Sequence, residues 1–140
     1  MGRVALAGVS SDALDLTAHH DAVQDRAAGA TVTFAGVVRD HDHGESVTEL
    51  EYQVHPTAAA VVARVAADLA DRDGVIAVAV THRYGLLGVG DIALAAAVSA
   101  AHRQEAFDAC SDLVEEVKRR LPVWKRQVFT DGRDEWVGSA

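Results

Sequence analysis

Pro122 closes the most regular pattern in this sequence. From Gln104 onward Phe107, Cys110, Leu113, Val114 and Val117 recur at intervals of three or four, the spacing of one buried helix face. Proline cannot donate a backbone hydrogen bond and keeps the preceding residue out of helical geometry, so the helix must stop at about Leu121. The stop is also the most basic part of the chain. Lys118, Arg119, Arg120, Lys125 and Arg126 put five cations into nine residues of a protein whose formal net charge is -8. Lys118 belongs to the last helical turn and Lys125 to the segment that leaves it. Two ammonium groups held close raise each other's cost of charging, and partial burial adds desolvation, which is how lysines become reactive. Cations in a last turn also complement the helix dipole without doing chemistry, so at this point both roles stay open. Trp124 beside the second lysine fits a pocket wall or the core.

The whole 140-residue sequence reads as one domain, residues 1–140, large enough to bury a core at 49% hydrophobic content. No apolar run approaches the roughly 20 residues of a membrane span. The N-terminus lacks a convincing signal-peptide core, so the chain is expected to be cytoplasmic and unprocessed. One cysteine excludes an intrachain disulfide and a multi-cysteine metal site, and 13 basic against 21 acidic residues argue against nucleic acid as the main partner. A local anionic ligand remains compatible with that balance.

Periodicity predicts a strand at Arg3–Val9 and a helix capped by Ser10, Ser11 and Asp12 that runs to about Asp25 and ends at Gly29. Thr31–Arg39 reads as a strand that delivers Arg39 to its end, Asp40–Glu45 as a polar loop, and Val47–Val54 as a half-exposed strand with Leu50 and Tyr52 on one face. Pro56 suits the first turn of a helix through Leu69 that stops near Gly74. Val75–Val80 and Ile92–Val98 read as apolar strands flanking the glycine-rich connection Gly85–Asp91. Val128–Phe129 and Trp136–Val137 form a last short pair around Asp131–Gly132. The sum is an α+β domain with a mixed, partly antiparallel sheet.

Several constellations have residue types that can carry chemistry. His41 and His43 alternate with Asp40 and Asp42, but alternate residues of an extended loop point opposite ways, so a solvated loop is preferred to a metal cluster and no metal is expected. Gly85, Gly88 and Gly90 lack phosphate-loop spacing. His82–Arg83 suggests a structural turn. Cys110 lies on the apolar stripe and reads as a small core residue rather than a nucleophile. Ser99 to Arg103 is different, because a strand ends and the long helix begins there, which suits an anion site built from His102, Arg103 and free backbone N–H groups; a surface arginine beside a half-buried histidine is the equally open alternative.

Four segments together resemble the large, catalytic subunit of molybdopterin synthase. They are Gly29–His41, Thr81–Gly85 with Val89–Asp91, Val98–Phe107, and Val117–Lys118 through Pro122–Arg126; their order and spacing cover about residues 29 to 137. The resemblance implies an α/β-hammerhead fold and a cytoplasmic homodimer at the centre of a heterotetramer with a small ubiquitin-like sulfur-carrier subunit. It implies a sulfurtransferase of molybdenum cofactor biosynthesis that moves sulfur from the carrier's C-terminal thiocarboxylate to cyclic pyranopterin monophosphate, forming the molybdopterin dithiolene. No cofactor is implied. Carried over position by position, Lys118 and Lys125 become catalytic, while Val37, Val38, Arg39, His102, Arg103, Arg126 and Gln127 contact substrate and Phe34 lies near the carrier's tail. His55 stands where tyrosine is common, Val37 where lysine is frequent, and Gln127 where glutamate is common. The alternative is a non-catalytic dimeric adaptor that grips a ubiquitin-like tail or an anionic metabolite. Arginine at positions 118 and 125 would satisfy simple anion binding but not catalysis.

Overall fold

The computed structural model describes residues 2–42 and 44–137, so His43 lies outside the described residues. Two sheets share the chain. In the first, β1 (Arg3–Ser10) runs parallel to β5 (Val75–Arg83), which pairs antiparallel with β7 (Ile92–Ala100), and β7 pairs antiparallel with β2 (Ala30–Val37). Alternation sorts their side chains. Val78, Val80, Leu94, Ala96 and Val98 face the main core, together with the buried sides of α2 (Ala58–Ala70) and α3 (Arg103–Arg120). Ala77, Ala79 and Ala97 face the other way and pack with Val23, just past the short helix α1 (Leu16–Ala22). Small side chains on that face let a single short helix lie close against it.

The second sheet is built on β4 (Glu45–Val54), which lies between β6 (Gly85–Gly88) and β8 (Val123–Phe129). β9 (Asp134–Val137) extends it beyond β8, and β3 (His41–Asp42) folds back on the start of β4. A register shift between Val47 and Glu49 adds a residue to β4, so that Val47 and Leu50 both turn inward. They join Val38, Leu87, Ala93 and Phe129 in a second, smaller core. The whole is the α+β, hammerhead-type arrangement expected, with β1 and β5 supplying its parallel pairing.

α3 stops as Pro122 requires. Leu121 leaves helical geometry at φ -72°, ψ 121°, its N–H still donates to Val117 O at 2.8 Å, and Pro122 O accepts from His55 N at 3.0 Å. The last bond ties the helix stop to the end of β4. Phe107 departs from the expected stripe: it is exposed, and Ala106 and Ala109 occupy the buried face with Cys110, Leu113, Val114 and Val117.

Other expectations are corrected. Ser10 does not cap a helix, because β1 stays paired with β5 as far as Ser10 opposite Arg83; Asp15 is the cap, its carboxylate accepting from Ala18 N at 3.1 Å. The long predicted helix is therefore reduced to α1. His82 and Arg83 are the end of β5 rather than a turn, since β7 pairs the strand as far as His82 opposite Leu94 and β1 pairs Arg83 through Ser10. The glycine-rich connection contains β6, with Gly85 and Gly90 at positive φ (98° and 91°) supplying the turns on either side. The polar loop after Arg39 holds β3, and β2 itself ends at Val37.

Candidate active site

Strand alternation decides which groups of the basic segment meet. On β8, Lys125 and Gln127 point to one side and Arg126 to the other. Lys125 lies opposite Tyr52 on β4, and Gln127 opposite Leu50. The last turn of α3 brings Lys118 to the same place, while the segment after β2 brings Val37, Val38 and Arg39 and β3 brings His41 and Asp42. These residues, with Val47, line one cavity of about 210 Å³. Three basic side chains, Arg39, Lys118 and Lys125, thus face a space that, among the described residues, has a single carboxylate, Asp42, on its wall. In a protein of net charge -8 this is a local reversal of sign suited to an anion.

Hydrogen bonds fix part of the wall. Arg39 Nη2 donates to Asp42 Oδ1 at 3.2 Å, and Gln127 Nε2 donates to Asp42 Oδ2 at 2.7 Å. Tyr52 meets the buried His82 ring edge-on, with centroids 5.0 Å apart at 80°. His82 Nδ1 lies 2.7 Å from Arg83 O, so Nδ1 carries the hydrogen and Nε2 the lone pair. Burial pushes His82 down to about 4, and the charge of Lys118 acts in the same direction. Burial likewise raises the Tyr52 phenol above its ordinary value.

Other residues named from the sequence lie elsewhere. Arg126 faces away from the cavity and pairs with Glu51 at 3.3 Å and Asp134 at 2.8 Å; its pKa is raised, first by the hydrogen bond to Asp134. Arg103 opens α3 fifteen residues before Lys118, with His102 as its N-cap, which at 1.5 Å per residue sets the pair roughly 22 Å or more from that lysine. His102 is largely exposed, with Nδ1 3.4 Å from Glu105 Oε2. Phe34 lines a separate cavity of about 260 Å³ between β2 and α3, with Val32, Phe107, Cys110 and Val114. Burial pushes the Cys110 thiol up to about 11, which keeps it protonated and leaves it a packing residue. Among the described residues no cluster of three or more His, Cys, Asp or Glu could hold a metal, and no helix is long and apolar enough to cross a membrane.

The sequence does not mark Tyr52 as a site residue, and it presents Asp42 only as part of a polar loop expected to be solvated, whereas both line the cavity. Tyr52 carried a signal, since it shares a strand face with Leu50. Asp42 carried none, because a two-residue strand has no periodicity to read.

A family model described as MoaE protein matches residues 9–120. The chain belongs to the MoaE family. Among similar proteins, the molybdopterin synthase catalytic subunit of Bacillus subtilis (strain 168) is 36% identical over 117 residues, covering 83% of this chain and 74% of the relative. That of Nostoc sp. (strain PCC 7120 / SAG 25.82 / UTEX 2576) is 38% identical over 126 residues, covering 89% and 76%. The crystal structure of molybdopterin synthase from Staphylococcus aureus superimposes with a TM-score of 0.86 at 29% identity, over 94% of this chain and 96% of that one. The relatives are thus named for the catalytic part of an enzyme, and this MoaE chain carries its clustered cations on the same fold.

Proposed function

We propose that this chain is the catalytic subunit of a molybdopterin synthase, working in molybdenum cofactor biosynthesis by moving sulfur from a carrier thiocarboxylate to cyclic pyranopterin monophosphate. The observation that carries this reading is the convergence of Lys118, Lys125 and Arg39 on one cavity. Both reactants are anions and repel each other; a cation cluster holds them in reach and lowers the cost of bringing them together. The thiocarboxylate sulfur displaces an oxygen leaving group from a carbon of the pterin precursor, water then cleaves the resulting thioester and frees the carrier as a carboxylate, and a second carrier repeats the step to supply the second sulfur. Lys118 is assigned to the acyl oxygen, where negative charge develops during that release. Lys125 is assigned to donating protons as the substrate ring opens.

The carrier's tail has a route to this point. Val114 stands one helical turn before Lys118 on the same face of α3 and lines the apolar groove that also holds Phe34. A glycine-ended tail lying in that groove would present its thiocarboxylate to Lys118. His102 and Arg103 are too far away to serve the cavity of their own chain. In a homodimer a second copy brings them to it, where they add donors for the substrate phosphate.

The test is to mix the purified protein with a thiocarboxylated carrier and cyclic pyranopterin monophosphate and to follow dithiolene formation. Lys118→Ala and Lys118→Arg are both expected to lose at least about a hundredfold in turnover, because arginine keeps the charge but not the compact ammonium. Full activity in Lys118→Ala would remove Lys118 from the reaction. Binding without product in the wild type would favour the adaptor.

A further inference from the structure

We propose that Asp42 is a positioning residue of the site, its carboxylate holding Arg39 and Gln127 in register on either side of the lysines. The proposal rests on the functional reading above for its kinetic consequence, but its geometry stands without it. Among the described residues Asp42 is the only carboxylate lining the cavity, and its two oxygens accept from two different parts of the wall. Oδ1 accepts from Arg39 Nη2 at 3.2 Å, just beyond β2, and Oδ2 accepts from Gln127 Nε2 at 2.7 Å on β8. The Asp42 side chain is 18% exposed and that of Arg39 66%, so the link runs from the interior of the wall to a cation at its open edge. Arginine has many rotamers, and an exposed guanidinium with no fixed partner spends its time in solvent. Asp42 therefore turns a mobile charge into a placed one.

Gln127 shows which way the link is built. A carboxylate only accepts, so the Gln127 nitrogen must face Asp42, and the amide cannot be reversed without losing the bond. Gln127 is buried, and its Oε1 has no hydrogen-bond partner among the described residues. The amide is thus held by the bond it donates to Asp42. Glutamate at this position would set two carboxylates against each other at bonding distance. The glutamine found here is consequently the neutral complement of an acidic residue at 42, and the pair works as a unit: carboxylate on β3, amide on β8.

That unit makes a charge-conserving exchange the decisive experiment. Asp42→Asn, Gln127→Glu and the double variant are compared for kcat/KM in sulfur transfer. In parallel, the guanidinium 15N resonances of Arg39 are followed in the substrate-free protein, assigned by their loss in Arg39→Lys. Each single variant is expected to lose about tenfold in kcat/KM, whereas the double variant, with the carboxylate moved to β8, recovers to within about threefold of wild type. Asp42→Asn removes a negative charge from a cationic cavity, so an effect of charge alone would tighten binding of an anion. A lower KM for cyclic pyranopterin monophosphate with kcat unchanged in that variant overturns the proposal. So does a double variant as impaired as the worse single one. Without substrate, the Arg39 side-chain signals are expected to collapse toward free-arginine averaging in Asp42→Asn; unchanged signals overturn the proposal even if the protein proves to have no sulfur-transfer activity. A wild type that fails to turn over refutes the functional reading and leaves the Arg39 signals to judge Asp42.

Discussion

Lys118 and Lys125 reach one cavity by different routes, and the groups around them differ in what they tolerate. His82 is the clearest case. It is buried against Tyr52, and desolvation, with the Lys118 charge added, pushes it down to about 4 from an ordinary 6.5. The unfolded chain takes up a proton near 6.5 that the folded protein refuses until about 4. Stability is therefore fully present above 6.5 and declines as the pH falls through this window. In urea unfolding, the wild type should lose about 2 kcal/mol between pH 7 and pH 5 through this residue, and His82→Gln should lack that component of the slope. An equal slope in both proteins would mean that His82 takes up its proton at the same pH folded and unfolded, and that burial does not lower it.

Among elements, β8 sets the site by its pleat. Consecutive cations at 125 and 126 look equivalent in the sequence, yet one faces the cavity and the other a pair of carboxylates on the outer face. Lys125→Ala should abolish turnover in the sulfur-transfer assay, whereas Arg126→Ala should change it by no more than about twofold, because a period of two places the groups on opposite sides. A large loss in Arg126→Ala would show that the outer face also meets a reactant. The α3 stop and the strand character of β2, β4, β5 and β7 were legible, because a proline and runs of β-branched or alternating residues act locally. The first helix was not. Its start depended on how far β1 stays paired with β5, and three capping residues in the wrong place, Ser10, Ser11 and Asp12, masked the cap at Asp15.

For the whole molecule, the roughly 22 Å between the start of α3 and Lys118 separates two basic groups that the sequence analysis had joined. If a homodimer reunites them, inactive chains should complement. Mixing Lys118→Ala with a His102→Ala/Arg103→Ala chain under exchange should restore about a quarter of wild-type activity, since half the dimers are mixed and each has one intact site. No recovery after demonstrated exchange would place all the necessary groups within one chain. The sequence by itself determined the α+β class, the helix that must end before Pro122, the local excess of positive charge and the family resemblance, because these are properties of neighbours along the chain. Only the tertiary structure decided which cations share a cavity, that Asp42 stands among them and that His102 does not. Those outcomes depend on register, on the bulge in β4 and on the length of α3, and they bring together residues that no local pattern connects.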